Sequence, residues 1–187
     1  DEDEFLETND TSIGSGGPGI VDCNWLQHYE NIGDPFHVPI LHGSFSGAQF
    51  IEQMGAMPDV TFEDHELGLK VTSLRPTEDD RTHHRVTMAV LPTLRVVPNP
   101  RVAQFARVET IGWVLPIDDT HFRIYSSGRT REEGYMIKQR SRMNGKLWEE
   151  LSEEEHQTFP GDYEAHSGQG AIASHANEHL GQTDTGI

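Results

Sequence analysis

Apolar and polar residues alternate along the middle of the chain. Runs rich in β-branched residues recur there, and short turns such as Pro116-Ile117-Asp118-Asp119 separate most of them. Alternation with a period of two, broken by short turns, is typical of antiparallel strands with one buried face. The pattern predicts strands at residues 60–62, 67–72, 84–90, 108–115 and 121–126.

Helical segments flank this sheet region. Residues 21–54 and 132–155 are predicted to be largely helical, and residues 171–180 are predicted to form a further helix. Asn31-Ile32-Gly33 is typical of a helix end, and Asp34-Pro35 is typical of an N-cap followed by proline at the first helical position. An antiparallel sheet packed with such helices is an α+β fold.

Composition divides the chain into an arm and one domain. Residues 1–19 combine an acidic run with a Gly-rich stretch and are predicted to form a flexible arm or linker remnant. Residues 20–187 have a length that suits a single core. The formal net charge of −17 disfavours binding to nucleic acid or to anionic membranes. No apolar run approaches the roughly 18 residues of a transmembrane helix, and we expect a cytoplasmic protein.

Two histidines lie five residues apart in the first helical region, at His37 and His42, and Asp34 precedes them. Histidine nitrogen is the commonest neutral ligand for a catalytic transition metal. Two histidines and one distant carboxylate make the facial triad that holds non-haem Fe(II) and leaves positions open for dioxygen. The segment therefore favours an iron centre whose carboxylate comes from elsewhere in the chain.

The spacing of this pair requires a distorted helix. Residues five apart are separated by roughly 140° around an ideal α-helix, so His37 and His42 would not face one metal. Pro39 lies between them; it lacks an N–H group and clashes with the carbonyl four residues earlier. We therefore predict a kinked or π-bulged helix that turns both imidazoles toward one point.

Simpler interpretations of these residues stay open. The chain has 11 histidines, and most of them must be surface or hydrogen-bonded residues. Asp34 is equally suited to act only as a helix cap. Two histidines and a carboxylate also suit zinc, so a zinc hydrolase is an alternative to an iron enzyme.

The wider sequence resembles a known family. Asn24-Trp25, Glu30-Asn31 and Asp34-x-x-His37-x-x-x-x-His42 resemble the signature NW-x4-EN-x2-D-x2-H-x4-H of Rieske-type ring-hydroxylating oxygenases, in the catalytic domain of the α subunit. Gly170-Ala171-Ile172 and residues 178–184 resemble the GPI…EHLG-x-SD block of the branch that contains phthalate dioxygenase and aryl-ether O-demethylases. The resemblance covers residues 20–187 and implies a helix-grip fold of the Bet v 1/START type.

The resemblance implies a set of metal ligands. His37 and His42 match the two iron-binding histidines of the family. The third ligand in this branch is an aspartate ten residues before the isoleucine of the GPI block, which is Asp162 here. Glu164 and Asp184 are the competing carboxylates.

Two further residues match positions near the iron. Asp34 matches the aspartate that links an iron-bound histidine to a cluster-bound histidine of the neighbouring subunit, the route by which an electron arrives. A carboxylate bound to a ligating imidazole also fixes its orientation. Asn31 matches a polar position beside the iron, and its alternative role is that of an ordinary residue at a helix end.

The cysteine content limits the cofactors of this chain. A Rieske [2Fe–2S] cluster needs two cysteines and two histidines, and Cys23 is the single cysteine of the sequence. The resemblance therefore implies Fe(II) in this chain and a Rieske cluster in an N-terminal domain outside it. We expect a catalytic domain that is truncated at both ends.

The resemblance implies an oxygenase that acts on aromatic compounds. We expect a carboxylated or methoxylated aromatic substrate, dioxygen, a reductase or ferredoxin as electron donor, a homotrimer in the full protein, and either dihydroxylation or O-demethylation. Arg85 is the candidate for binding a carboxylate, and Met88, Phe105 and Trp113 are candidate apolar walls. A helix-grip module that binds a small molecule without chemistry is the alternative from another class.

Overall fold

An antiparallel sheet forms the framework of the protein in the computed structural model, which describes residues 12–16, 19–45, 47–98, 110–130, 146 and 150–187. Within these ranges the sheet has eight strands. They are β1 (Ser12–Gly16), β2 (Ile20–Val21), β3 (Asp59–His65), β4 (Gly68–Pro76), β5 (Thr82–Val90), β6 (Leu94–Val96), β7 (Thr110–Asp118) and β8 (His121–Thr130). Their order is β1-β8-β7-β6-β5-β4-β3, and β2 also pairs with β8.

Short helices precede and follow the strands β3 to β8. The first helical group packs against the sheet, and the second follows β8 in the chain. The α-helices of the described ranges are α1 (Trp25–Glu30), α2 (His37–Pro39), α3 (Glu153–Thr158) and α4 (Asp162–Ser167). A π-helix spans Ile40–Phe45, and 3₁₀ turns span Asn31–Gly33, Glu52–Gly55, His175–Asn177 and Gln182–Asp184.

One face of the sheet carries the residues that matter for function. Ser73 of β4 lies opposite Arg85 of β5, and Ala89 of β5 lies opposite Arg95 of β6. Arg95 in turn lies opposite Gly112 of β7. Because residues directly opposite each other share a face, these five positions point to the same side of the sheet.

A buried apolar cluster joins α1 to this sheet. Cys23, Val114 and Phe122 are fully buried, and Tyr29 of α1 packs in the same cluster. Burial of a side chain the size of Phe122 stabilises a fold by about 1.5–3 kcal/mol. The cluster fixes α1, and with it the start of the histidine segment, against β7 and β8. Its other buried members are Val21, Ile32 and Ile124.

The predicted α+β fold with an antiparallel sheet is confirmed. The predicted helical character of residues 21–54 holds for residues 25–33, 37–45 and 52–55, whereas Val21 belongs to strand β2. The sequence pattern missed β2 and β6, which are only two and three residues long. Most of the predicted helix 132–155 lies outside the described residues.

Two predictions of local structure are wrong. Ser12–Gly16 of the predicted arm forms strand β1, because its backbone pairs with β8 and needs no apolar side chains to do so. Residues 171–180 contain only the 3₁₀ turn His175–Asn177. The backbone there bonds instead to α1: Asn24 N–H donates to Ala171 O at 2.8 Å, and Ala173 N–H donates to Gln27 Oε1 at 3.0 Å.

Membrane insertion through a helix is not indicated. Among the helices in the described part of the chain, none combines the length and the apolar character needed to cross a bilayer.

The turn before β4 tests the packing of the hairpin. Gly68 has a φ of +141°, and a Cβ there would lie 2.1 Å from Ala89 O. We expect Gly68→Ala to lower the free energy of unfolding by about 2 kcal/mol or more, as measured by thermal or urea unfolding. Gly55→Ala is the control, since a Cβ at Gly55 meets no atom within 4 Å; equal losses in both variants would contradict the prediction.

Candidate metal centre

A distorted helix brings His37 and His42 to one point. His37 begins α2, and the π-helix that follows Pro39 contains His42. The wider turn of a π-helix compensates for the spacing of five residues, as predicted. The Ser44 hydroxyl lies 3.2 Å from Pro39 O and 3.1 Å from Ile40 O, so it can donate to a carbonyl in the distorted turn. The two imidazole centroids are 5.4 Å apart.

Asp34 orients the first histidine. Its carboxylate accepts hydrogen bonds from the backbone N–H groups of Phe36 at 2.7 Å and His37 at 3.2 Å, and so holds the turn that leads into α2. The helix itself begins at His37 with Phe36 at its N-cap, so the prediction of an N-cap at Asp34 with Pro35 as the first helical residue is wrong. The backbone carbonyl of Asp34 accepts from His37 Nδ1 at 2.6 Å. Because Nδ1 carries the proton of this hydrogen bond, the lone pair of His37 Nε2 is available to a metal.

Gln49 orients the second histidine. Its Oε1 lies 3.1 Å from His42 Nδ1 and accepts a hydrogen bond from it, while its Nε2 donates to Pro160 O at 2.8 Å. The bond to Pro160 fixes which end of the Gln49 amide faces the imidazole. Phe50 packs on the ring of His42 with centroids 4.3 Å apart. His42 is therefore held rigidly, with Nε2 directed away from Gln49.

Asp162 meets both histidines from the far end of the chain. It is the first residue of α4, which starts after the Pro160-Gly161 turn. Asp162 Oδ1 lies 2.8 Å from His42 Nε2 and 3.6 Å from His37 Nε2. One ligand atom from each of the three residues falls within 4.8 Å of the others. The structure thus brings together the three predicted ligands.

The competing carboxylates point elsewhere. Glu164 Oε1 lies 2.6 Å from His156 Nδ1, and its Oε2 accepts from Gly161 N–H at 2.7 Å. Asp184 Oδ2 accepts from Gly181 N–H at 2.7 Å in a turn near the C-terminal end of the sequence. Neither belongs to the group formed by His37 and His42.

Local charges favour an ionised carboxylate at this point. Burial alone would raise the pKa of Asp162, but the hydrogen bond from His42 and the charges of His42 and His37 hold it well below its usual value. Burial likewise opposes a charge on His37, yet Asp34 and Asp162 together raise the pKa of this imidazole. Both shifts favour positive charge next to the Asp162 carboxylate, which is the charge that a metal ion would supply.

The donor set fits a divalent transition metal. Two imidazole nitrogens with fixed tautomers and one carboxylate oxygen converge, and the side chain of His42 is only 3% exposed. Three protein ligands leave coordination positions open, as in catalytic rather than structural sites.

Polar contacts between α1 and α4 hold Asp162 in place. Gln27 Nε2 donates to His166 O at 3.0 Å and to Gly170 O at 3.1 Å. His28 Nδ1 lies 3.3 Å from His166 Nδ1, and both imidazoles are buried. Burial, followed by the charge of Arg95, lowers the pKa of His28 well below its usual value, so this pair is neutral.

A cavity of about 170 Å³ opens beside the three candidate ligands. Asn31, Asp34 and Arg85, which were predicted to serve the site, line it. The cavity lining does not include Met88 or Trp113. Met88 lies on the opposite face of β5 from Arg85, and Trp113 is 44% exposed. The prediction that these two side chains form its walls is wrong, because strand alternation directs them away. Phe105 lies outside the described residues.

Sequence reasoning also missed residues of the site. His28 and Arg75 line the cavity and Gln49 contacts a candidate ligand, but no local signal marks these three residues as part of a site. Period-two alternation places Arg75 on the same face of β4 as Ser73, but only the register of β4 and β5 shows that this is the face of Arg85.

The fold and the site together define a class: an α+β domain with a three-ligand centre for a mononuclear metal beside a cavity.

No protein-family model matches the chain. The phenoxybenzoate dioxygenase subunit alpha of Ectopseudomonas oleovorans is 40% identical over all of this chain and 46% of that protein. The oxygenase subunit of the tert-butanol monooxygenase / tert-amyl alcohol desaturase of Aquincola tertiaricarbonis is 30% identical over 90% of this chain and 41% of that protein.

Solved structures show the same fold at low sequence identity. A variant of NdmA from Pseudomonas putida CBB5 with theobromine has a TM-score of 0.56 and 12% identity, over 96% of this chain and 48% of that chain. Dicamba monooxygenase bound to 3,6-dichlorosalicylic acid has a TM-score of 0.56 and 11% identity, over 95% of this chain and 56% of that chain.

The chain is therefore related to the oxygenase subunits of Rieske-type non-haem iron oxygenases. It spans less than half of the length of the two curated relatives.

The contact between Gln49 and His42 gives a test of the site. We expect Gln49→Leu to weaken binding of Fe(II) or Co(II) by about tenfold to a hundredfold, because an outer-shell partner fixes the tautomer and orientation of its ligand. Anaerobic metal titration measures the affinity. Gln182→Leu, at an exposed position, is the control, and an unchanged affinity in Gln49→Leu would show that Gln49 does not support the metal-binding form of His42.

Proposed function

We propose that this chain is the catalytic domain of an oxygenase that activates dioxygen at Fe(II) held by His37, His42 and Asp162. One observation carries the proposal. Two imidazole nitrogens and a carboxylate oxygen, from segments 120 residues apart, converge beside a cavity that can take a small molecule. The relatedness to oxygenase subunits favours iron over zinc and favours chemistry over simple binding.

The chain's own residues position and shield the site. His37, His42 and Asp162 would hold the iron, which would supply open coordination positions for dioxygen beside the cavity. Asp34 and Gln49 hold the two imidazoles in fixed tautomers, which keeps both Nε2 atoms directed at Asp162. The cavity has an apolar wall that excludes water from the reacting region, and this wall contains Val38, Phe50 and Val97.

Asp34 has a second proposed role in electron delivery. Its backbone carbonyl oxygen accepts a hydrogen bond from His37 Nδ1, with 2.6 Å between the two atoms. The side chain of Asp34 is 25% exposed. A partly exposed carboxylate that contacts a ligand histidine suits a route from an external donor into the metal centre. Asn31 lines the same cavity and is proposed to contact the site without ligating the metal.

The reaction partners are proposed from the relatives. They are a small aromatic substrate, carboxylated or methoxylated, dioxygen, and electrons from a Rieske [2Fe–2S] cluster outside residues 1–187 that a reductase or ferredoxin supplies. One curated relative is named for phenoxybenzoate, an anion, and the other for tert-butanol, a neutral alcohol. Both anionic and neutral substrates are therefore compatible with these relatives. A homotrimer and a cytoplasmic location are part of the same proposal.

Metal content tests the ligand set. We expect anaerobically purified protein to bind close to one equivalent of iron and to lose it in His37→Ala, His42→Ala and Asp162→Ala, because each change removes one of three ligands. Elemental analysis and Fe(II) titration measure this. His84→Ala, at an exposed histidine, and Glu164→Gln, at the competing carboxylate, are expected to retain iron.

The opposite outcomes are informative. Iron retained in Asp162→Ala and lost in Glu164→Gln would transfer the third ligand to Glu164. Zinc in place of iron under anaerobic, iron-replete conditions would favour the hydrolase, and no metal at all would favour the binding module.

Oxygen uptake tests the reaction. With reduced ferredoxin as electron source, we expect iron-loaded protein to consume dioxygen faster when an aromatic substrate is present, since substrate and dioxygen share the cavity. The rate in Asp162→Ala is expected to fall to that of the metal-free protein. If the iron-loaded protein consumed dioxygen at the same rate with and without the aromatic substrate, that result would contradict an oxygenase function.

A further inference from the structure

His28 is a buried polar residue to which the proposed function gives no role. It lies in α1, is only 5% exposed and belongs to the wall of the cavity beside the candidate ligands. Its imidazole stacks on the ring of Phe122 with centroids 5.4 Å apart, and the imidazole of His166 lies nearly perpendicular to it, with centroids 5.0 Å apart. These contacts fix the plane of the ring, so each of its nitrogens has defined surroundings.

The fold satisfies one nitrogen of this imidazole. Nδ1 of His28 lies 3.3 Å from Nδ1 of His166, a residue of α4 that is 4% exposed. Burial lowers the pKa of both imidazoles, which keeps them neutral at neutral pH. A neutral imidazole has one N–H donor and one acceptor nitrogen, so one of the two Nδ1 atoms carries the proton that the other accepts.

The second nitrogen has no such partner. Nε2 of His28 is buried and makes no hydrogen bond within the part of the chain that the structure describes. A buried polar atom without a partner costs about 1–3 kcal/mol, and native proteins satisfy nearly all such atoms. A molecule that occupies the cavity can supply the missing partner, because His28 belongs to the cavity wall.

The charges around His28 favour a neutral partner. Arg95 and Asp162 line the same cavity and bring opposite charges close to the imidazole. A cationic group at His28 would be repelled by Arg95, and an anionic group would be repelled by Asp162. A neutral polar group meets neither repulsion.

The shared proton narrows the choice of neutral group. If His166 donates to His28, the proton of the His28 ring is on Nε2, which then acts as a donor. In the reverse arrangement Nε2 is an acceptor. A carbonyl only accepts, whereas a hydroxyl both donates and accepts. A hydroxyl group therefore matches Nε2 in either arrangement.

We infer that His28 is a specificity-determining residue whose Nε2 hydrogen-bonds a neutral hydroxyl group of the molecule in the cavity. The ligand class is accordingly an alcohol or a phenol. The inference rests on the proposed function only for the statement that this molecule is the substrate of an oxygenase. The hydrogen bond itself requires no metal, so its test can be separated from iron binding.

Two neutral ligands that differ in one group test the inference. They are 4-methoxyphenol and 4-methoxytoluene, in which a methyl group replaces the hydroxyl at similar size. Anaerobic calorimetric titration, with and without bound iron, gives the dissociation constants of both, and their ratio is the measured preference. We expect His28→Phe to lower the preference for the phenol by about tenfold or more, because it keeps an aromatic ring and removes Nε2. Comparing ratios between proteins cancels the difference in hydrophobicity between the ligands.

Two further variants separate the nitrogens of the ring. The amide of glutamine reaches the place of Nε2, whereas the amide of asparagine reaches only the place of Nδ1. We therefore expect His28→Gln to retain part of the preference for the phenol, and His28→Asn to lose it although its amide can still contact His166. His84→Gln, at an exposed histidine, is the matched control and should keep the wild-type ratio.

A purely structural His28 would give a different result. The temperature of thermal unfolding would fall in the His28 variants, while the ratio of the two dissociation constants stayed at its wild-type value. An unchanged ratio in both His28→Phe and His28→Asn would overturn the inference. A preference for the phenol that survives in His28→Phe and disappears when iron is removed would also overturn it, since the hydroxyl would then bind the metal.

Failure of this inference is distinguishable from failure of the proposed function. Normal iron content and substrate-dependent oxygen uptake, with a ratio that does not depend on His28, would overturn the hydroxyl site alone. A ratio that depends on His28 in a protein that binds no iron would support the hydroxyl site and contradict the oxygenase.

Discussion

The contact between His42 and Asp162 joins segments that are 120 residues apart, and the rest of the site depends on it. It brings the π-helix that follows Pro39 against the first turn of α4, and so encloses one end of the cavity. Such a contact has a high loop-closure cost, which buried polar bonds on either side offset. Gln49 to Pro160 lies on one side, and Gln27 to His166 and Gly170 lies on the other.

Groups of both charges line the cavity. The candidate ligands and Asp34 supply carboxylates and imidazoles, which suit a divalent cation. Arg75 and Arg85 give the sheet side positive charge without a counterion in the described structure.

The sequence predicted the architecture better than its details. Alternation identified the long strands, because a sheet with one buried face repeats every two residues. It missed β2 and β6, which are too short to show a period, and β1, whose pairing is carried by the backbone. The helix expected over 171–180 is absent because Gln27 and Asn24 bind the backbone of Ala171 and Ala173. Those bonds come from a helix about 145 residues earlier, and a local pattern cannot contain them.

The sequence by itself determined the elements of the metal centre. The proline between His37 and His42 predicted the distorted helix, and the resemblance to the Rieske-type family implied Asp162 through its spacing from Ile172, although nothing local said that they would meet. Only the tertiary structure decided that Asp162 rather than Glu164 faces the histidines, since Glu164 is the helix-capping residue that binds Gly161 and His156. Only the tertiary structure placed Arg75 beside Arg85 and turned Met88 and Trp113 away. Those choices follow from strand register, which long-range pairing sets and which fixes the face of every side chain on the strand.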